Sequence, residues 1–497
     1  MTTPYLLGID IGTSGCKVGL FTVDGELRCQ ASQAYETHYP EPGGVEQNPD
    51  DWWNAASTLI RRIIRETGIA PREIKAVGVD GQSGALVPVD QRGRPLIRAM
   101  TWLDRRTARQ CEALIGQIGF ETLFSVSGNP VTPTYVTGKI LWLKERKPEV
   151  YKETRMILQS NGYMVYRLTG RPSLDVSQGN GIHAFDIAAC RWDEALAERI
   201  GIDPRVLPPI HECHEVVGEV TARAAEETGL APGTPVVAGG LDAACATLGA
   251  GALHPGEVQE QGGQAGGMSI VMDWPIKNER LILSRHVVPG RWILQGGTVG
   301  GGSLNWLKRT FAGNEPDFFN AVEEEASRVK AGSDGLVFLP YMSGERSPIW
   351  DPDARGVFVG LDYSKTRGHI VRAIMEGCAL ALQHNLKTAE QSGVSIRTLH
   401  CVGGAANSRL WTQIKADVTG KLMKVPSSDS ATTLGAAILA GLGIGLYRDA
   451  EEAVRRAVRI RREHRPDEAN HALYRKIYGI YIETYERLKD MFPRMGW

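Results

Sequence analysis

Tyr5-Leu-Leu-Gly-Ile-Asp-Ile-Gly-Thr-Ser-Gly-Cys-Lys17 is an apolar run that meets one acid and then breaks into glycine and small hydroxylated residues. The pattern predicts a buried strand that enters a tight turn, with a second strand, Lys17-Val-Gly-Leu-Phe-Thr-Val23, leaving it. Gly12 and Gly15 open backbone angles closed to other residues, and such a turn can aim several N–H groups at one point, which is a way to hold phosphate. Asp10, at the carboxyl end of the strand, is placed to organise a divalent cation, a species that takes carboxylate and water oxygens. Thr13 and Ser14 add hydroxyls, and Lys17 adds a positive charge. An ordinary β-hairpin with an exposed Asp fits this stretch alone equally well.

Working outward, the same logic recurs. Ile74-Lys-Ala-Val-Gly-Val-Asp80 reads as a short apolar strand that empties into Gly81-Gln-Ser-Gly-Ala85, and Trp102-Leu-Asp-Arg-Arg106 stands at another strand end. In open α/β sheets ligands collect outside the carboxyl ends of strands, so both ends are candidate site walls. Thr234-Pro-Val-Val-Ala-Gly-Gly-Leu-Asp242 repeats the opening pattern as one buried strand ending in glycines and an acid, with a helix of small residues after it. Asp242 is thus presented at a strand-to-helix junction, where an N-cap role is the simpler alternative. Later glycine-rich strand ends are Gln261–Gly267, Gly296–Gly302 and Gly403–Asn407. Asn48-Pro49 marks a helix start, and further helices are expected at Gly138–Val150, Ser160–Leu168, Ser303–Phe311, Ser408–Thr419 and Asn470–Phe492.

At 497 residues the chain is too long for one core, and the pattern restarts near Gly251–Gly256, so two domains are expected, residues 1–254 and 255–497. A net charge of -1 gives no support to nucleic-acid or anionic-membrane binding. The eight cysteines show no CxxC pair and no zinc spacing, which suits reduced thiols and a cytoplasmic setting. No basic segment followed by a long apolar run opens the chain, so no signal peptide is expected. The uncharged Ser430–Tyr447 is broken by glycines and reads as a buried helix with a turn after it rather than a membrane span. No G-x4-G-K-[ST] occurs, since Gly138-Lys139 is followed by Ile140 and Gly420-Lys421 by Leu422; the spacing of a dinucleotide-binding turn is missing as well.

These residues carry a resemblance. Gly356-Val-Phe-Val-Gly-Leu361, seven residues, then His369-Ile-Val-Arg-Ala-Ile-Met-Glu376 fits the carboxyl-terminal signature of the FGGY carbohydrate kinases at every defined position. Lys139-Ile-Leu-Trp-Leu143 fits the amino-terminal signature in part, with Val136 and Arg146 outside the usual choices. Asp10-x-Gly-Thr-Ser-Gly15, Trp102-x-Asp-x-Arg106, Gly239-Gly-Leu-Asp242, Leu339-Pro-Tyr-Met-Ser-Gly-Glu-Arg346 and Gly403-Gly-Ala-Ala-Asn-Ser408 add to it in the same order. Over Tyr5–Tyr447 the chain therefore resembles this family, which includes xylulokinases, glycerol kinases and gluconate kinases within the actin-like ATPase superfamily. The resemblance implies an α/β fold of two actin-like (ribonuclease H-like) domains, mixed sheets flanked by helices, with an interdomain cleft.

It also implies roles. Asp242 matches the catalytic base that takes a proton from a sugar hydroxyl as that oxygen attacks the γ-phosphorus of ATP. Asp10 matches the acid that holds Mg²⁺; Thr13, Ser14 and Lys17 match the phosphate side. Gly263, Gln264, Gly301 and Asn305 match positions beside the nucleotide, and Gly404 and Asn407 positions near the adenosine. Gln82, Ser83, Trp102 and Asp104 occupy the positions that line the sugar pocket. Glycerol kinases carry Arg-Glu where Ser83-Gly84 stand, which disfavours glycerol. Xylulokinases read Gly-Gln-Met-His-Gly and Asp-Asn where this chain has Gly81-Gln82-Ser83-Gly84 and Asp242-Ala243, so D-xylulose is the leading expectation and another polyol or a sugar acid the alternative. The family's Gly-Thr-Ser turn is replaced by Gly263-Gln264-Ala265, which removes a hydroxyl. The expected partners are a small sugar and ATP, with neither nucleic acid nor membrane, and a homodimer is the candidate assembly. An actin-fold ATPase that acts on no sugar is the competing class; it would share Asp10 but not need Asp242 beside a polar pocket. Trp52-Trp53 reads as packing, His369 and Arg372 as a polar helix face, and Arg455–Arg465 as a solvated helix surface.

Overall fold

A computed structural model describes residues 4–311 and 315–495 and is built on two mixed seven-stranded sheets. The opening stretch forms the strand Tyr5–Ile11, which turns into the antiparallel strand Gly15–Thr22 and pairs in parallel with Ile74–Gly81. Its Leu and Ile side chains are buried on both faces, as a central strand covered from two sides requires. In order across the sheet lie Val216–Glu219, Pro235–Val237, Ile74–Gly81, Tyr5–Ile11, Gly15–Thr22 and Leu27–Ala34, with Gly240–Leu241 also pairing Ile74–Gly81.

The second sheet repeats this topology. Glu257–Gly262 runs antiparallel to Ala265–Met272 and parallel to Thr398–Val402; the latter is parallel to Leu422–Pro426, which is antiparallel to Ile460–His464. The same relations link Tyr5–Ile11, Gly15–Thr22, Ile74–Gly81, Pro235–Val237 and Val216–Glu219 in the first sheet. The turn after Gly262 is therefore the counterpart of the turn after Ile11, which matches the expected pair of actin-like units.

The two sheets are joined through a shared core. It runs from Leu6 and Val237 of the first sheet through Leu434 and Ile438 to Ile270 and Leu399 of the second. The helix Ala431–Gly443, the buried helix expected before Tyr447, lies against Tyr5–Ile11 and Ile74–Gly81. A Cβ at Gly8 or Gly78 would overlap the carbonyls of Thr433 and Ala436, so those glycines set the depth at which the helix seats. No helix among the described residues is long and apolar enough to cross a membrane.

The helix starting at Asn48-Pro49 runs Pro49–Thr67, with the Asn48 side chain accepting from Asp50 N–H. Trp52 and Trp53 are buried in packing, as read. Three readings need correction. The strand expected over Thr234–Asp242 is two short strands, Pro235–Val237 and Gly240–Leu241, because the chain bends at Gly239 against Val79. Arg455–Arg465 is not one helix surface: the helix Ala450–Ala457 gives way to the edge strand Ile460–His464. Arg372 is not on a solvated face; it is buried, paired with Glu376 at 2.9 Å and bonded to the Val329 carbonyl.

Candidate active site

A cavity of about 410 Å³ opens where the carboxyl ends of the two sheets face each other. Asp10, Thr13, Ser83, Trp102 and Asp242 line it from the first half, and Gly267, Gln295 and Arg346 from the second. Five residues singled out in the sequence thus meet at one place.

The turn after Asp10 is shaped by its own chain. Gly12 N–H donates to the Gly15 carbonyl at 3.1 Å, the Tyr35 hydroxyl donates to the Gly12 carbonyl, and the Gln47 amide donates to the Thr13 carbonyl at 2.7 Å. The carbonyls are occupied, while the N–H groups of Thr13 and Ser14 have no acceptor among the described residues. Free N–H groups beside a glycine turn suit an anion. Ser14 is exposed, and Lys17 faces Asp10 across the strand pair.

Asp10 is also in register with Asp80 on the neighbouring parallel strand. Asp80 is fully buried, and neither carboxyl oxygen accepts a hydrogen bond from a donor. Burial, then the charges of Asp10 and Asp242, push its carboxyl well above the usual range, which favours the protonated form. Asp10 itself is raised by burial, against the pull of Lys17.

Asp242 opens the helix Asp242–Gly249 as its first residue, not as its cap, which is Leu241. Its carboxylate accepts from Ala243 N–H at 2.6 Å. Burial and the neighbouring charge of Asp10 push its pKa up to about 7. Its protonation therefore changes near neutrality, which is where a general base is most effective.

The residues expected to line a sugar pocket divide. Ser83 and Trp102 line the cavity; Trp102 Nε1 donates to Thr13 Oγ1 at 2.9 Å, tying that wall to the turn after Asp10. Gln82 and Asp104 lie outside it. Gln82 is buried and its amide donates to Gln47 Oε1 at 2.9 Å. Asp104 is buried against Arg106 at 2.6 Å and accepts from Val45 N–H at 3.0 Å. Its partner sits two residues along the chain, so the expected pocket carboxylate is a strut for the loop.

On the other side, Gly301 N–H donates to the Gly263 carbonyl at 2.6 Å and Gly302 N–H to the Gln264 carbonyl at 2.9 Å. Asn305 Nδ2 donates to Gln264 Oε1 at 2.6 Å. Gly403 packs on Gly262, and nothing lies within 4 Å of where a Gly404 Cβ would stand. Gly263, Gln264, Gly301 and Asn305 are thus bonded into one turn-to-helix junction at the end of the second sheet, and Gly403, next to Gly404, packs against it. Asn407 Oδ1 accepts from Arg461 at 2.5 Å.

Sequence reasoning missed Arg346 as a lining residue of the cavity and gave Asp80 no role. The guanidinium of Arg346 lies 5.0 Å from the Trp102 ring centroid, across the cleft, and no carboxylate pairs with it among the described residues. Its signal was present, since it ends the motif Leu339–Arg346, but no partner could be assigned to it from sequence.

Comparison with known proteins adds to this geometry. Residues 5–249 match the model of the FGGY family of carbohydrate kinases, N-terminal domain, and residues 275–444 that of the C-terminal domain. The chain is similar to a xylulose kinase of Bacillus subtilis strain 168, with 31% identity over 98% of each chain. Its structure resembles that of a xylulose kinase from Rhodospirillum rubrum, with TM-score 0.88 and 30% identity over 98% of this chain and 99% of that one. It also resembles a gluconate kinase from Lactobacillus acidophilus at TM-score 0.91 over 99% and 100% of the two chains; at 23% identity that likeness concerns the fold.

Proposed function

Because the chain belongs to the FGGY family of carbohydrate kinases, and is therefore a sugar kinase, we propose that it transfers the γ-phosphate of ATP to a primary hydroxyl of a ketopentose, D-xylulose first among the candidates. The observation that carries the reading is the meeting of Asp242, with a pKa of about 7, and Asp10 with its phosphate turn in the cavity that Ser83 and Trp102 line.

In this reading residues 1–254 supply the sugar pocket, the base and the phosphate turn, and residues 255–497 the adenosine cradle. The sugar hydroxyl donates to Asp242, which orients it in line with the γ-phosphorus and accepts its proton as the new P–O bond forms and the bond to the β-phosphate oxygen breaks. In phosphoryl transfer most of the acceleration comes from such positioning and from charge neutralisation. Thr13 and Ser14 N–H groups and Lys17 hold the phosphate, and the turn at Gly263-Gln264 with Gly301 and Asn305 holds the nucleotide from the other side. Gly404 and Asn407 flank the adenosine. A magnesium ion would be held at Asp10, whose hard carboxylate is the donor type such an ion takes. When bound it neutralises phosphate charge.

A sugar acid is the second reading, favoured by the unpaired Arg346 guanidinium at the cavity. The test is a coupled ADP-release assay over ketoses, polyols and sugar acids, run with the wild type and Asp242→Ala. The wild type is expected to turn over a ketopentose; the variant is expected to bind ATP and phosphorylate nothing. Normal turnover by Asp242→Ala would sink the mechanism, and ADP release indifferent to every sugar would favour the ATPase class.

A further inference from the structure

Lys139 is completely buried within the helix Val136–Arg146, and no carboxylate forms an ion pair with it among the described residues. Its ammonium donates instead to three backbone carbonyls, Gly84 at 2.6 Å, Thr101 at 2.7 Å and Thr134 at 2.9 Å. An ammonium has three N–H donors, so the match is complete. The three acceptors come from three separate loops, and each loop forms part of the cavity: Ser83 precedes Gly84, Trp102 follows Thr101, and Thr134 and Tyr135 line it directly. The loops are pressed together at this point, for a Cβ on Gly84 would stand 2.7 Å from the Thr134 carbonyl. Lys139 is not needed to balance Asp104, which Arg106 already satisfies at 2.6 Å.

We propose that Lys139 is the positioning residue that assembles the sugar-facing wall, setting Ser83, Trp102 and Thr134-Tyr135 relative to one another through their backbone carbonyls. The inference rests on reading the cavity as the sugar's. No side chain of Lys139 touches substrate; it acts through the loops. Without it three buried carbonyls lose their donor together, and each such loss typically matters on the scale of the interaction itself. Coupled loops then lose their common reference, and the sugar, which contacts all of them, is the ligand that registers it.

The test compares Lys139→Met with Lys139→Gln, whose amide keeps two donors, by amide hydrogen exchange and by steady-state kinetics with the sugar that the panel returns. Lys139→Met is expected to speed exchange in peptides covering residues 82–86, 100–104 and 132–136 together, leaving the turn after Ile11 and the turn after Gly262 unchanged. Sugar KM is expected to rise by about tenfold or more with ATP KM held within about twofold, and Lys139→Gln to fall between. Should Lys139→Met fail to fold, the Gln variant alone decides. Faster exchange confined to Val136–Arg146, or KM values for sugar and ATP rising in parallel, would overturn the proposal. If the wild type phosphorylates no sugar, the functional reading fails while the exchange data still decide what Lys139 holds.

Discussion

At the scale of single residues the site is a question of where protons and carbonyls can go. Asp242 starts from an ordinary value near 3.8 and is raised to about 7 by burial and by Asp10. For catalysis this means that kcat/KM rises with pH and inflects near 7 as the carboxylate forms; a profile flat from about pH 5.5 to 9 would rule the assignment out. For stability the sign is opposite. A carboxyl whose folded pKa is raised binds more protons when folded than unfolded, so stability falls as pH rises from about 4 to about 7. Asp242→Asn is thus expected to abolish turnover yet raise the melting temperature, by more at pH 8 than at pH 5, as differential scanning fluorimetry would record. Gly84 makes a second residue-scale case. It sits at φ 70° with the Thr134 carbonyl 2.7 Å from where a Cβ would be. Gly84→Ala is expected to cost about 1–2 kcal/mol in urea unfolding and to raise sugar KM without changing ATP KM. The xylulokinase pattern puts a histidine at this position; here the Thr134 carbonyl crowds the place where its Cβ would be. Asp10, Thr13 and Asp242 were legible in the sequence because acids and hydroxyls at glycine-terminated strand ends are a local pattern, whereas Ser83 and Trp102 were placed by the family resemblance. The role of Lys139 was not legible: the amino-terminal signature contains it, but its acceptors lie as far as 55 residues away, and no sequence pattern pairs it with them. Asp104 misled for the converse reason, since its partner Arg106 stood in view within the same motif and was read as part of the signature rather than as the group that occupies the carboxylate.

At the scale of elements, the duplicated strand–turn–strand unit explains how one architecture makes two different turn surfaces. After Ile11 the turn leaves N–H groups free; after Gly262 it docks on the start of the helix Gly302–Phe311 through Gly301, Gly302 and Asn305. Gln264 stands where the resembling family has a hydroxyl, and its side chain ties the turn to that helix. Gln264→Ala is expected to raise ATP KM about fivefold, the worth of one hydrogen bond of about 1 kcal/mol, with sugar KM unchanged; equal effects on both substrates would show that the turn serves the whole cleft. The alternation of strands and helices was readable because periodicity is written locally. The break at Gly239 and the switch from helix to edge strand after Ala457 were not, because both are imposed by neighbours: Val79 at the first, Leu422–Pro426 at the second.

At the scale of the molecule, the cavity belongs to neither half alone. Trp102 is tied to the phosphate turn through Thr13 at 2.9 Å, and Arg346, from the other half, covers the same ring at 5.0 Å. The helix Ala431–Gly443 meanwhile fastens the halves through glycines that permit close approach, so the wall at the Trp102–Arg346 contact is completed by how the halves sit. A ligand that favours one disposition of the halves must then favour the other ligand that needs it, and by linkage the effect is reciprocal. A nonhydrolysable ATP analogue is expected to tighten sugar binding in isothermal titration calorimetry by about fivefold or more, and the sugar to tighten the analogue by the same factor. Arg346→Ala removes the cross-cleft contact while leaving Asp242, the turn after Ile11 and the turn after Gly262 intact. It is expected to keep analogue binding alone near wild type and to bring the coupling factor towards one. A variant that loses analogue binding but keeps the coupling would instead place Arg346 on the nucleotide, and the two halves would have to communicate through the helix Ala431–Gly443.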